Sequence, residues 1–172
     1  MTLEIKNADE LVDRELEARW AARRADRHGD VLQHILRRFI EREGPVPATD
    51  IHRAFPGRSV ASVEQDLAAL HDKDLIRLSD GYVRLAYPFS ARPTAFTVTL
   101  ADGRERYACC AIDALGIAPM LGQRIGIRSR CHHCSEPLEF RADPDGLTPE
   151  AAGVMVWVGK RGEAERRLSE SL

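Results

Sequence analysis

The stretch DLIRLSDGYVRLAYPF, Asp74 to Phe89, contains two alternating apolar and polar runs on either side of Asp80-Gly81. An Asp-Gly pair between such runs is the strongest short signal for a β-hairpin. Helical periodicity precedes the hairpin over residues 30–43 and again after Ser59, with a short helix capped by Thr49 between them. Three helices followed by a hairpin are the order of a winged helix-turn-helix.

The chain on either side of this unit is predicted to form an α+β protein. Residues 8–27, rich in Ala, Arg and Glu, predict a preceding helix, and PFSARPTA carries two prolines typical of a linker. We therefore divide the chain into four parts: an N-terminal helix at 1–29, the winged-helix domain at 30–87, a linker at 88–95 and a compact α+β domain at 96–172.

The second domain alternates between strand and helix signals. A strand and turn are predicted in AFTVTLADGRERYAC, and a short helix is predicted at 109–116, ended by Gly116. The remaining predicted elements are an alternating strand at 122–131, a strand at 138–141, an apolar strand at 153–158 and the closing helix GEAERRLSESL.

Composition and charge exclude several classes of protein. The chain has 172 residues, a hydrophobic fraction of 44% and a formal net charge of -2, as expected for a globular protein without a general attraction to nucleic acid. No apolar run reaches the ~18 residues of a membrane span, and the charged N-terminus lacks a signal-peptide centre. We expect a cytoplasmic protein that contacts no membrane.

The charge of the third helix opposes binding to DNA. A helix that reads DNA is basic, because contacts to phosphate supply much of the affinity. This helix and the residues just after it carry mainly acid, with Glu64, Asp66, Asp72 and Asp74 against Lys73. We expect the winged helix to serve as a packing module. A dimer that presents the wing and the basic first helix is the alternative.

The chemistry of the chain concentrates in its cysteines, all four of which lie between Cys109 and Cys134. Cytoplasmic cysteines stay reduced, which favours metal or thiol chemistry over disulfides, although buried cysteines that act as small apolar side chains are the alternative. In a helix at 109–116, Cys110 and Asp113 share a face, and the helix dipole lowers the thiol pKa. They form a candidate pair of nucleophile and general acid.

Cys131 and Cys134 have the spacing of a zinc knuckle, Cys-x-x-Cys. A structural zinc ion needs four ligands, and the chain has no second Cys-x-x-Cys. Cys109 or Cys110, or one of the two intervening histidines, His132 and His133, would have to complete the set.

The segment Tyr107-Ala108-Cys109-Cys110-Ala111-Ile112-Asp113 resembles the hallmark of the alkylmercury (organomercurial) lyases, Tyr-Ala-x-Cys-Ala-x-Asp. Cys131 falls where that family has a conserved cysteine after a glycine-bounded strand. The approach Tyr87-Pro88-Phe89-Ser90, with Pro93-Thr94, is also similar to the family. The resemblance covers roughly residues 30–158.

The resemblance implies protonolytic cleavage of carbon–mercury bonds in organomercurial small molecules. Cys110 would be the thiolate that attacks and holds mercury, and Asp113 would deliver a proton to the departing carbon. Cys131 would be a buried structural thiol. No cofactor is required, and mercury is substrate and product ion. A soft metal suits this site, because mercury prefers thiolates over oxygen or nitrogen ligands.

One part of the family pattern is missing. The family has a second mercury-binding cysteine late in the chain, whereas this sequence has no cysteine after Cys134. Cleavage would be impaired unless Cys134 or Cys109 replaces that thiol, and Cys134 is the better candidate because Cys109 points away from Cys110 on a regular helix.

Three other functions are alternatives to carbon–mercury cleavage. The protein could be a non-catalytic protein that binds mercury, copper or zinc, a winged-helix regulator that responds to metals or thiols, or a different lyase or biosynthetic enzyme.

Overall fold

The computed structural model of the protein describes residues 29–156 continuously, together with Ile5, Lys6, Glu10, Arg14, Ala18 and Ala21. The helix predicted at 8–27 lies largely outside the described residues, and the predicted closing helix lies wholly outside them. The strand predicted at 153–158 is described only as far as residue 156, and residues 153–156 form a turn and irregular backbone instead.

The first part of the described chain contains three helices and a hairpin. The helices are α1 (Asp30–Glu41), α2 (Ala48–Ala54) and α3 (Val60–Asp72), with the short strand β1 (Val46–Pro47) before α2. Ser59 caps α3 as predicted, because its hydroxyl accepts a hydrogen bond from the Ser62 N–H. The predicted hairpin is confirmed as β2 (Ile76–Ser79) and β3 (Tyr82–Ala86). Their interpretation as a winged helix stays a prediction.

The second part of the described chain contributes six strands and one long helix. The helix is α4 (Ala111–Leu121), and a short 3-10 turn follows at Pro149–Ala151. The strands are β4 (Phe89–Ser90), β5 (Phe96–Thr99), β6 (Glu105–Ala108), β7 (Ile125–Arg130), β8 (Pro137–Asp143) and β9 (Gly146–Leu147). A mixed α/β fold with an antiparallel sheet is therefore confirmed.

Helix α4 corrects the shorter helix predicted at 109–116. Gly116 lies inside the helix, and Gly122 ends it in the left-handed region at φ 63°. A C-terminal residue in that conformation favours glycine, because other residues meet a steric penalty there. The helix continues past the predicted end at Gly116 because Ile117 and Ala118, in its next turn, are buried.

A single antiparallel sheet runs through both parts of the described chain. Its strand order is β1-β3-β4-β6-β5-β7-β8-β9, and β2 pairs with β3 along the whole of β3, from Tyr82 to Ala86. Strand β4 lies in the segment predicted as a linker, and it pairs with β3 on one side and β6 on the other. The division of the chain into domains stays a prediction, but this sheet joins the predicted parts by backbone hydrogen bonds.

Two side-chain contacts hold α1 against this sheet. The rings of Phe39 and Phe89 stack at 6.4 Å and both are buried. Arg106 on β6 is 6% exposed and donates to the carbonyl oxygens of Phe39 at 2.7 Å and Ile40 at 2.6 Å. These are carbonyls near the C-terminal end of α1, where a cation is favoured by the helix dipole. Strand β6, which leads directly to Cys109, is thereby fixed in place.

No helix among the described residues is long and apolar enough to cross a membrane.

Candidate active site and cysteine turn

The site begins where β6 ends. The Thr94 hydroxyl donates to the Ala108 carbonyl at 2.6 Å, and the Cys109 N–H donates to the Pro88 carbonyl at 3.0 Å. Both partners belong to the predicted linker, so this segment holds the chain just before it turns into α4. Thr94 was noted in the sequence only for its resemblance to the family, and nothing local predicted its contact with Ala108.

Cys110 is the N-cap residue of α4, with an extended backbone at φ -149°. Its sulfur accepts a hydrogen bond from the Asp113 N–H at 3.4 Å. The Ile112 N–H is also directed at this sulfur. Two N–H groups of the first helical turn therefore converge on the Cys110 sulfur, as such groups do on anions at helix N-termini.

The pKa of Cys110 differs from the sequence prediction in direction. Burial of the thiol, followed by its hydrogen bond to the Asp113 side chain, raises the pKa of Cys110 to about 11, although the two backbone N–H groups lower it. The prediction of a lowered pKa considered the helix dipole alone and was wrong on this point. Cys110 is therefore mainly a thiol at neutral pH, and this thiol is hydrogen-bonded to the Asp113 carboxylate.

Cys109 lies beside the site but faces the interior. It is 5% exposed, and burial raises its pKa well above the ordinary range, with the Asp113 carboxylate adding to the shift. A buried thiol of this kind is a weak nucleophile and a weak metal ligand, because both roles need the thiolate.

Cys131 and Cys134 lie together in the turn between β7 and β8, which we call the cysteine turn (residues 131–136). The Cys131 N–H donates to the Glu136 carbonyl at 2.9 Å, and the Ser135 N–H donates to the Cys131 carbonyl at 2.8 Å. Ser135 adopts the left-handed region at φ 60°, which closes the turn. Backbone contacts thus bring the two cysteines to one side of a tight loop.

The two thiols of the cysteine turn interact with each other. Backbone N–H groups of Cys134 and His133, and then the Cys134 thiol, lower the pKa of Cys131. For Cys134 a backbone hydrogen bond from Glu136 lowers the pKa, but the hydrogen bond to Cys131 and the local loss of hydration raise the pKa overall. The Cys134 thiol thus donates to the Cys131 sulfur, and Cys131 is the readier thiolate.

These contacts correct the expected environment of Cys131. The sequence predicted a buried thiol on the apolar face of a strand, whereas Cys131 lies just after β7 and is half-buried, with Cys134 exposed. The Cys-x-x-Cys spacing was the available signal for their pairing. Among the described residues, no group of three or more histidine, cysteine or acidic side chains is arranged to hold a metal ion.

Thus the fold and the site define a thiol protein in which a cysteine caps a helix on an antiparallel sheet beside a carboxylate. Residues 89–171 match the family model of alkylmercury lyase. The recognition of the alkylmercury lyase family made from the sequence is confirmed by this match and by the relatives described next.

Curated relatives support this assignment. The chain is 32% identical over 103 residues to an alkylmercury lyase of Bacillus cereus, covering 58% of this chain and 45% of the relative. It is 31% identical over 124 residues to an alkylmercury lyase of Staphylococcus epidermidis, covering 70% of this chain and 55% of the relative. The chain thus spans about half the length of the curated relatives it matches.

A solved structure shares the fold. The mercury-bound form of MerB2 superimposes with a TM-score of 0.63 at 23% sequence identity, covering 79% of this chain and 66% of that one. This likeness establishes a common fold for the described chain.

Proposed function

We propose that this protein cleaves the carbon–mercury bond of organomercurials by protonolysis, with Cys110 as nucleophile and Asp113 as proton carrier. The observation that carries the proposal is the pair of contacts between Cys110 and Asp113 at the N-terminus of α4, where the thiol is hydrogen-bonded to the carboxylate and its sulfur accepts from the Asp113 N–H at 3.4 Å. The family of residues 89–171 and the names of the curated relatives agree with this reaction.

The first step uses Asp113 as a base. The Cys110 thiol gives its proton to the carboxylate, while its sulfur bonds to the mercury of R–Hg–X and expels X as an anion. The Asp113 and Ile112 N–H groups stabilise the sulfur as its charge develops. The products of this step are Cys110-S–Hg–R and a protonated Asp113.

The second step uses Asp113 as an acid. The carboxylic proton passes to the carbon bound to mercury, and the electron pair of the breaking carbon–mercury bond forms the new C–H bond. The hydrocarbon R–H leaves, Asp113 is a carboxylate again, and mercury stays on Cys110 as a cation. A residue that first removes and then returns one proton needs no cofactor.

A second thiol would stabilise the mercury left on Cys110. Cys134 is a better candidate than Cys109, because Cys134 is exposed whereas Cys109 is buried with a strongly raised pKa. We propose impaired cleavage relative to an enzyme with two thiols on one ion, and partial compensation by Cys134.

Incubation of the purified protein with phenylmercury and excess monothiol tests the proposal. We expect release of benzene, measured by gas chromatography, at a rate that falls to the protein-free background in Cys110→Ser. Mercury binding without benzene release above that variant would reject cleavage and favour the alternative of a soft-metal binding protein.

A further inference from the structure

The cysteine turn is not used by the proposed two-step reaction, except as a source of one compensating thiol. It nevertheless holds two thiols in mutual contact at the surface, on a loop closed by two backbone hydrogen bonds. We propose that Cys131 and Cys134 form a second soft-metal site, a dithiol that binds one Hg²⁺ ion without any contribution from Cys110.

The geometry of the loop favours a pair that acts together. The Cys131 carbonyl and N–H are both engaged within residues 131–136, and Arg130 donates to the Ser135 carbonyl at 3.2 Å. The backbone is thus fixed before a metal binds. Binding therefore has a small cost in conformational entropy, because few further groups become ordered. The thiols already point at each other, because one donates a hydrogen bond to the other.

Backbone N–H groups of the loop lie close to both sulfurs, where they can donate hydrogen bonds to thiolates bound to a metal. The N–H groups of His133, Cys134 and Glu136 are directed at the two sulfurs, as in metal-binding cysteine loops where amides stabilise bound thiolates. Binding is balanced in protons: each sulfur bonds to Hg²⁺ as a thiolate, and the protons that the two thiols carry pass to solvent.

The number of ligands selects the ion. Zinc requires four protein ligands in a structural site, and the described residues contain no group of three or more metal-binding side chains. Two soft sulfurs suit a thiophilic ion that is stable with two ligands, which Hg²⁺ is. The cysteine turn therefore fits mercury better than the zinc knuckle that its spacing suggested.

The sheet places this second site at the same end of the molecule as Cys110. Phe96 pairs with Ala108 on one side of β5, and Thr97 pairs with Arg128 on the other. Strands β6 and β7 therefore run in the same direction, two strand spacings or about 10 Å apart. Cys110 follows β6 and the cysteine turn follows β7. The two thiol sites therefore lie at the same edge of the sheet, and each is held by a different segment of the chain.

The test uses the full chain with Cys109 and Cys110 both changed to serine, reduced and handled without oxygen. Titration with Hg²⁺ against an excess of a monothiol is followed by thiolate-to-mercury absorption and by native mass spectrometry. We expect one Hg²⁺ per chain. Addition of Cys134→Ser or Cys131→Ser should weaken binding by about 100-fold or more, because the second thiol acts at high effective concentration.

Ser129→Ala, on the adjoining strand, is the matched control in the same background and should bind Hg²⁺ unchanged. The inference would be overturned if the double-serine protein failed to compete with the monothiol for Hg²⁺. It would also be overturned if Cys134→Ser in this background left the affinity for Hg²⁺ unchanged. The readout is bound mercury and not released hydrocarbon, so the outcome is independent of the proposed cleavage. Circular dichroism checks that each variant is folded.

Discussion

Asp113 contacts the Cys110 sulfur twice, through its backbone N–H at 3.4 Å and through its carboxylate. The two contacts act on the thiol in opposite directions, since the N–H lowers its pKa and the carboxylate raises it. In the proposed reaction, one residue would therefore restrain the Cys110 thiol at rest and support its anion once the proton had moved.

Replacing the Asp113 carboxylate should have opposite effects on the alkylation rate of Cys110 and on the rate of benzene release. In Asp113→Asn the N–H remains but the anionic acceptor is lost, so the pKa of Cys110 falls from about 11. Alkylation of Cys110 at pH 8 should become several-fold faster, because each unit of pKa changes the thiolate fraction about tenfold. Benzene release should fall by about 100-fold or more, as for loss of a general acid.

The control for this variant is Asp102→Asn, because Asp102 is exposed in the β5–β6 turn and pairs with Arg104. Asp102→Asn should change neither the alkylation rate of Cys110 nor the rate of benzene release. Undiminished turnover in Asp113→Asn would contradict the role of Asp113 as a proton carrier, whatever happens to alkylation.

The four thiols should react with iodoacetamide in a fixed order at pH 7.5. Cys131 should react first because its pKa is lowered, followed by exposed Cys134, then Cys110, and Cys109 last because it is buried. The rate at Cys110 should keep rising with pH up to about 11, where its thiolate becomes the main form. Peptide mass spectrometry measures the order, and modification of Cys110 before Cys131 would contradict it.

Arg106 should contribute more to stability than an exposed arginine in the same sheet. Arg106→Met leaves the Phe39 carbonyl without its charged donor and leaves the Ile40 carbonyl with Arg104 alone, and we expect a loss of about 2–3 kcal/mol in the free energy of unfolding. Arg128→Met removes an ion pair with Glu105 that is half exposed, and it should cost less than about 1 kcal/mol. Urea denaturation measures both, and equal losses would contradict the assigned contacts.

Two glycines of α4 should respond oppositely to alanine. A Cβ at Gly116 meets nothing within 4 Å, so Gly116→Ala should stabilise the helix by about 0.5–1 kcal/mol. Gly122 has φ +63°, so Gly122→Ala should destabilise by about 1 kcal/mol. Thermal unfolding distinguishes them, and stabilisation by Gly122→Ala would show that the helix ends elsewhere.

Local signals predicted local structure. The hairpin around Asp80-Gly81 and the Ser59 cap depend on neighbouring residues, so the sequence was sufficient for both. The end of α4 depends on which residues pack against the sheet, and a glycine signal alone placed it too early, at Gly116.

The same distinction applies to the site. The pairing of Cys110 with Asp113 follows from helical spacing and was predicted. The raised pKa of Cys110 follows from burial by distant segments, which a helix-dipole argument does not include. The contact between Cys131 and Cys134 needed the turn at Ser135, and nothing in the sequence showed that this residue would adopt a positive φ.

Strand β4 has a consequence for recombination of this chain with other proteins. Phe89 and Ser90 are bonded on both sides within the sheet, and the Arg106 guanidinium closes the end of α1. A chimera cut at residue 88 would therefore inherit an open strand edge and an unmatched buried cation. Replacing the N-terminal part by that of another protein would succeed only if the replacement supplies a strand that pairs with β4 and a helix terminus that accepts the Arg106 guanidinium. We therefore expect the N-terminal and C-terminal parts of this chain to be inherited together.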